Sequence, residues 1–339
     1  MFALLAQLAP SWICVTLALS LSLCAAPAPT PSPSPTATVS ATATPTPVAG
    51  VPTPYPGLYK FGARMKPDPA ASPGLDSIAG LESGLGRPLD YGLSYNWITF
   101  AFPGAEITDD VANGRTPVIS LNCGWYKNAD IAFGLHDTAI DTAARALAAV
   151  KSPIIIRYLW EMNSSIASNN RQGCTGPNDV GGFFNAPDFI AAWHHLRTRF
   201  IAAGATNVLW YWCPNDGLNT LAAYYPGDSE VDLVGVDIYD RTPGNISAYN
   251  SHFTQIYNTV EGATTVQKPF IVGETGGMQG DQLAYFANQL ALFATAPRLV
   301  GWIYFDTVGP LADWRVQPGT PEFSALRALV RTPAQSQVR

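Results

Sequence analysis

The chain has 339 residues, 47% of them hydrophobic and 13% charged, with a formal net charge of -6 and no basic run. Ordinary domains carry roughly a quarter charged residues, and the lack of clustered Lys and Arg excludes a nucleic-acid-binding class. Nine Trp and 14 Tyr suit a protein that grips sugar rings on aromatic faces; a large barrel that packs aromatics into its shell would look the same.

Residues 1–26 are apolar and close on Cys24-Ala25-Ala26 before Pro27, the pattern of a secretory signal peptide cleaved near Ala26. Gln7, Pro10 and Ser11 interrupt the apolar run, which argues against a permanent membrane span. A lipid anchor at Cys24 is the alternative processing route, although Leu23 is bulky for it. Residues 27–54 are almost wholly Pro, Thr, Ser, Ala and Val, too poor in bulky apolar groups to fold, and are expected to form an extended linker. Signal and spacer together imply a secreted or cell-surface bacterial protein. Its folded part is expected over 55–332, with a short tail at 333–339, acting as a monomer.

From residue 55 onward, short apolar runs alternate with helical stretches. Strands are expected at 58–63, 89–94, 117–122, 154–159, 208–212, 233–238, 270–273 and 300–305. Most are continuous apolar runs, as parallel strands covered on both faces should be. Helices fit at 137–150, 188–203, 246–260, 281–294 and 323–330. The second follows Pro187 with an acidic first turn and stops at Gly204. Eight strands with intervening helices point to an α/β fold, a single (β/α)8 TIM barrel. An open doubly wound sheet fits less well, because no Gly-rich phosphate loop follows the first strand. Of the cysteines past the signal, Cys123, Cys174 and Cys213 fit no zinc spacing. They allow one disulfide and one free thiol, with Cys174 in the bond and its partner left open.

A TIM barrel carries its chemistry at the C-terminal ends of its strands. The fourth strand ends in Trp160-Glu161-Met162-Asn163 and the seventh in Gly273-Glu274-Thr275. Strands four and seven stand nearly opposite across the barrel, so Glu161 and Glu274 can face each other over its mouth. Two carboxyls about 5–5.5 Å apart are the retaining arrangement of glycoside hydrolysis, one acting as nucleophile and the other as acid/base. Either Glu could instead be a structural partner of an Arg. His136, His194, His195 and His252 show no metal-ligand arrangement, and neither metal nor cofactor is expected.

Arg157-Tyr158-Leu159-Trp160-Glu161-Met162-Asn163 resembles the Arg-x-x-His-Glu-Met-Asn motif of glycoside hydrolase family 26, best known for β-mannanases. The resemblance continues in order through Trp212-Cys213-Pro214-Asn215, Gly235-Val236-Asp237-Ile238-Tyr239, Gly273-Glu274-Thr275-Gly276, Tyr304-Phe305-Asp306 and Asp313-Trp314-Arg315. It implies that Glu161 is the acid/base, that Glu274 is the nucleophile and that Tyr239 orients the nucleophile. Arg157 is expected inside the barrel beside a carboxylate. Trp160, Asn163, Trp125, Tyr304 and Trp314 are expected to contact a polysaccharide substrate. The motif departs at Trp160, where the family has His; Trp donates one hydrogen bond and accepts none. The resemblance implies an endo-β-1,4-mannanase, with a β-glucanase or lichenase, a β-1,3-xylanase or a non-catalytic carbohydrate-binding barrel as alternatives.

Overall fold

Eight parallel strands close on themselves in chain order, β8 returning to pair with β1. The strands are β1 (Lys60–Met65), β2 (Tyr91–Trp97), β3 (Thr116–Asn122), β4 (Ile154–Tyr158), β5 (Val208–Trp212), β6 (Leu233–Asp237), β7 (Phe270–Thr275) and β8 (Leu299–Asp306). Between and after them run α1 (Ile78–Leu85), α2 (Gly104–Ala112), α3 (Asn128–Ala132), α4 (Asp137–Val150), α5 (Ala186–Ala202), α6 (Ile246–Ala263), α7 (Gln282–Phe293) and α8 (Pro321–Leu329). This computed structural model describes residues 59–65, 77–166, 172–218, 220–309 and 312–332. The expected signal at 1–26, the linker at 27–54, the Cys24 anchor and the tail at 333–339 lie outside the described residues. No helix among the described residues is long and apolar enough to cross a membrane.

The strands are apolar on both faces because each face has its own core. Successive side chains of a strand point to opposite sides. Val118, Ile155, Leu209, Leu233, Ile271 and Ile303 fill the barrel interior, while their sequence neighbours Ile119, Ile156, Trp210, Val234, Val272 and Trp302 face the helices. The helical layer answers with Phe189, Trp193, Phe253, Tyr285 and Phe293. The expected eight-strand barrel is therefore the observed one.

Local signals set the helix boundaries. Asn185 caps α5 by accepting from Asp188 N at 3.1 Å, so the helix begins before the acidic turn that marks it in sequence. Thr320 and Pro321 open α8 in the same way. Three helices escape the sequence pattern. In α1 only Leu81 and Leu85 are buried, α3 is five residues long, and α2 buries Ile107 beside a carboxylate, Asp110. Too few apolar positions repeat in them to announce a helix. Cys123 bonds Cys174, and Cys213 is the buried free thiol, which settles the pairing left open by sequence.

At the end of β8, Asp306 is 5% exposed and accepts a hydrogen bond from Val316 N at 2.8 Å. Burial pushes its carboxyl up to about 7, the Val316 bond and Arg315 only partly opposing. The unfolded chain releases that proton near pH 4, so folding is progressively disfavoured as pH rises from about 4 to about 7. Asp306→Asn should therefore melt several degrees above the parent at pH 8. The two melting curves should converge towards pH 4, which calorimetry at both pH values would check.

Candidate active site

Glu161 stands just past β4 on a backbone that leaves the strand abruptly. Leu159 and Glu161 have φ of 43° and 53°, the left-handed region that costs a non-glycine residue about 1–3 kcal/mol. Surrounding bonds hold this shape. Glu161 N donates to Cys213 O at 2.8 Å, and Ser164 donates to Glu161 O through N at 2.9 Å and Oγ at 2.7 Å. Asn163 accepts from Asn215 N at 2.7 Å and returns its own amide to Asn215 O at 3.1 Å. Asn215, fixed in this way, donates through Nδ2 to Glu161 Oε1 at 3.2 Å.

Glu274 reaches the mouth through a register shift. Val236 pairs with Val272, but the next residue of β6, Asp237, pairs with Glu274, so β7 spends two residues against one. Strict alternation would put Ile271 and Gly273 inward and Glu274 outward; the bulge turns Glu274 in as well. Gly273 is what allows this. A Cβ there would lie 2.6 Å from Asp237 Oδ1, 2.6 Å from Cys213 Sγ and 2.8 Å from Tyr211 Oη.

Once inside, Glu274 is gripped by three donors. Tyr95 Oη donates to its Oε1 at 2.5 Å, Tyr239 Oη to its Oε2 at 2.8 Å, and Arg157 Nη2 forms a close ion pair with Oε1. Arg157 has no accessible surface and is shared. Its Nη1 spans both oxygens of Asp237 at 2.7 and 2.9 Å, and its Nε donates to Ser120 Oγ at 2.8 Å. Burial works against the guanidinium charge, but Asp237 and Glu274 outweigh it and hold Arg157 well above its ordinary value. Burial, reinforced by the Glu274 charge, also pushes the Tyr95 and Tyr239 hydroxyls up, so both stay protonated as donors. Tyr239 feels the negative charges of Glu274 and Glu161 together. Asp237, wholly buried, is raised by desolvation while Arg157 pulls the other way and Cys213 Sγ donates to it at 3.1 Å. The result is one carboxylate immobilised by cationic and hydroxyl donors, across the mouth from a second whose Oε1 accepts from the Asn215 amide.

The residues expected at the site separate into three groups. Glu161, Glu274, Arg157 and Tyr239 come together as described. Trp160 is 7% exposed, its ring 5.0 Å from that of Tyr95 and 5.9 Å from the Arg157 guanidinium, so it serves chiefly as a wall behind Tyr95. Trp125, by contrast, is 65% exposed on the rim. The other three, Asn163, Tyr304 and Trp314, are buried. Asn163 spends its amide on the backbone of Asn215 and Gly217, fixing the neighbour of Glu161 rather than presenting donors to a ligand. Tyr304 points out of the barrel into the helix layer against Phe286, its hydroxyl bonded to Trp314 O at 2.7 Å. Trp314 is buried, its ring 4.8 Å from that of Tyr239, and backs that residue instead of offering an open platform. Sequence reasoning missed Tyr95 because β2 was expected to stop at residue 94. Extended to Trp97, the inward alternation Tyr91, Leu93, Tyr95 would have exposed it.

The family model "Glycosyl hydrolase family 26" matches residues 136–287, the span that holds both Glu161 and Glu274. The chain is 25% identical over 292 residues to Endoglucanase H of Acetivibrio thermocellus, a match covering 81% of this chain and 31% of that protein. It is 33% identical over 73 residues to a mannan endo-1,4-beta-mannosidase of Bacillus subtilis, covering 22% of this chain and 17% of the other. The chain thus spans less than a third of each curated relative. Among solved structures, a GH26 beta-mannanase from Bacteroides ovatus superposes with a TM-score of 0.60 at 16% identity, over 82% of this chain and 89% of that one. A modular endo-beta-1,4-mannanase from Cellulomonas fimi gives 0.57 at 16% identity, over 80% and 70%. At these identities the structural likeness is one of fold.

Removing Arg157 would leave Asp237 and Glu274 buried without their counter-charge, a loss worth about 3–5 kcal/mol. Arg157→Met should lower the urea midpoint accordingly. Arg157→Lys, which keeps the charge but not the planar fork, should fall between the two.

Proposed function

We propose that this chain, a relative of glycosyl hydrolase family 26 in sequence and fold, is a retaining endo-acting glycoside hydrolase of a β-linked polysaccharide. The observation that carries the reading is the asymmetric carboxylate pair. Glu274 accepts from Arg157, Tyr95 and Tyr239, donors that fix its two oxygens in place for attack. Glu161, whose Oε1 accepts from Asn215, occupies the facing strand end.

In the first step a Glu274 oxygen attacks the anomeric carbon while the bond to the leaving sugar oxygen breaks, and Glu161 gives its proton to that oxygen. Arg157 and the two tyrosine hydroxyls hold Glu274 still and release its charge as the glycosyl ester forms. In the second step water attacks the same carbon, Glu161 takes the water's proton, and the ester bond breaks to restore the Glu274 carboxylate. Export of the chain through its first 26 residues, with the barrel held off the surface by the linker, would bring it to an extracellular polymer.

Mannan is the first substrate, because the B. subtilis relative bears a mannan endo-1,4-beta-mannosidase name and the B. ovatus fold neighbour a beta-mannanase one. A β-glucan is the second reading, favoured by the Endoglucanase H match over most of the chain and by Trp160 in the place of the family's His.

Glu274→Ala should abolish turnover on every substrate with the fold intact by circular dichroism. Glu161→Ala should lose natural polymers but recover aryl glycosides when azide is added. Inversion at the anomeric carbon, followed by NMR, would contradict the retaining mechanism. Tyr95→Phe should lower kcat roughly 10- to 100-fold with KM little changed, the worth of one hydrogen bond to a charged group.

A further inference from the structure

Trp97 is the last residue of β2, and Trp125 follows β3 by three residues, so both stand at the C-terminal rim, Trp125 after the strand next to β4 and Trp97 one strand further away. They are 53% and 65% exposed. Their ring centroids lie 6.3 Å apart with planes at 79°, forming a corner of two indole faces open to solvent. Single exposed aromatics are ordinary on a protein surface, whereas a contiguous pair beside a catalytic mouth marks a recognition surface.

The corner is held by construction. Trp125 has φ of 72°, a left-handed conformation that a bulky residue adopts only when its surroundings impose it. Cys123, two residues earlier, is bonded to Cys174 in the segment following β4. The residue before that cysteine, Gly173, lies under the indole; a Cβ on it would come within 1.8 Å of Trp125 Cε3. The disulfide thus seats a glycine against one face of Trp125 and leaves the rest of the ring outward. Neighbouring strands lie about 4.8 Å apart, which puts the corner one to two strands from the strand carrying Glu161 and to the side of the bond being cleaved.

We propose that Trp97 and Trp125 form a distal sugar-binding corner that takes a pyranose ring of the polysaccharide away from the scissile bond, and that the Cys123–Cys174 disulfide keeps this corner in shape. The ligand class follows from the chemistry: two apolar ring faces set at an angle match the C–H faces of a neutral sugar. This inference rests on the glycoside hydrolase reading above. It adds Trp97, the disulfide and Gly173 to that reading as determinants of chain-length preference.

The test uses the full-length protein and the variants Trp97→Ala, Trp125→Ala, Gly173→Val and Cys123→Ser/Cys174→Ser. Kinetics are run on a mannohexaose or cello-hexaose, whichever the parent cleaves, and on a short aryl glycoside. Each variant should raise KM on the hexasaccharide about tenfold, the size of one ring-stacking contact. Rates on the aryl glycoside should stay within about twofold, which separates a lost corner from a damaged active site. Trp125→Phe should recover most of the loss. Unchanged hexasaccharide KM in both tryptophan variants would overturn the corner. A normal KM in the double serine variant would overturn the role of the disulfide. If the parent cleaves none of these substrates, the hydrolase reading fails. The corner is then tested by retardation in a native gel containing soluble glucomannan: retardation lost in Trp97→Ala and Trp125→Ala supports it, and none in the parent overturns it.

Discussion

The guanidinium of Arg157 is the constraint around which the mouth of this barrel is arranged. A cation with no solvent-accessible surface persists only if its charge is matched and its donors are used. Asp237 from β6 and Glu274 from β7 match it, and Ser120 from β3 takes the Nε donor. A residue of β4 therefore ties together three other strands at the level where chemistry would occur. Its planar fork dictates where Glu274 can stand, and Tyr95 and Tyr239 complete the cage because burial keeps both hydroxyls protonated. Among the described residues the other buried charged side chains are Asp110, Arg115, Asp240, Lys268 and Asp306.

The two carboxylates are held differently. Glu274 is buried and held by three donors, Arg157, Tyr95 and Tyr239. Glu161 sits on strained backbone outside the strand proper, its position set through a relay in which Asn163 grips Asn215 and Asn215 touches the carboxylate. A reaction that needs one fixed nucleophile and one group that alternates between giving and taking a proton is served by such unequal treatment. Trp160 falls between these two supports, its ring 5.0 Å from that of Tyr95 and 5.9 Å from the Arg157 guanidinium.

Much of this was legible in the residues. The barrel follows from apolar runs whose two faces both need covering, and Glu161 and Glu274 were visible because each follows such a run. Cys174 could be placed in a disulfide, but spacing says nothing of which strand end lies beside its loop, and so not that Cys123 is the partner. Tyr304 and Trp314 look like site residues when read as motif members; strand parity sends Tyr304 to the helix layer, and Trp314 is packed behind Tyr239. Tyr95 was hidden by a strand end placed three residues short. Asn163 was found as a residue but not in its role, because the backbone groups it satisfies belong to a loop more than 50 positions away.

The extra residue that β7 carries against β6 has a consequence for how such a site can be gained or lost. Side-chain direction in a strand has a period of two, so a bulge of one residue acts as a parity switch. A β7 that kept Gly273 but lost the bulge would leave every side chain of the cage present while sending the glutamate towards the helices, whereas one lacking Gly273 altogether would pair regularly and keep the glutamate inward. The direction in which Glu274 points thus depends on the pairing of β7 with its neighbours as well as on the residues it carries.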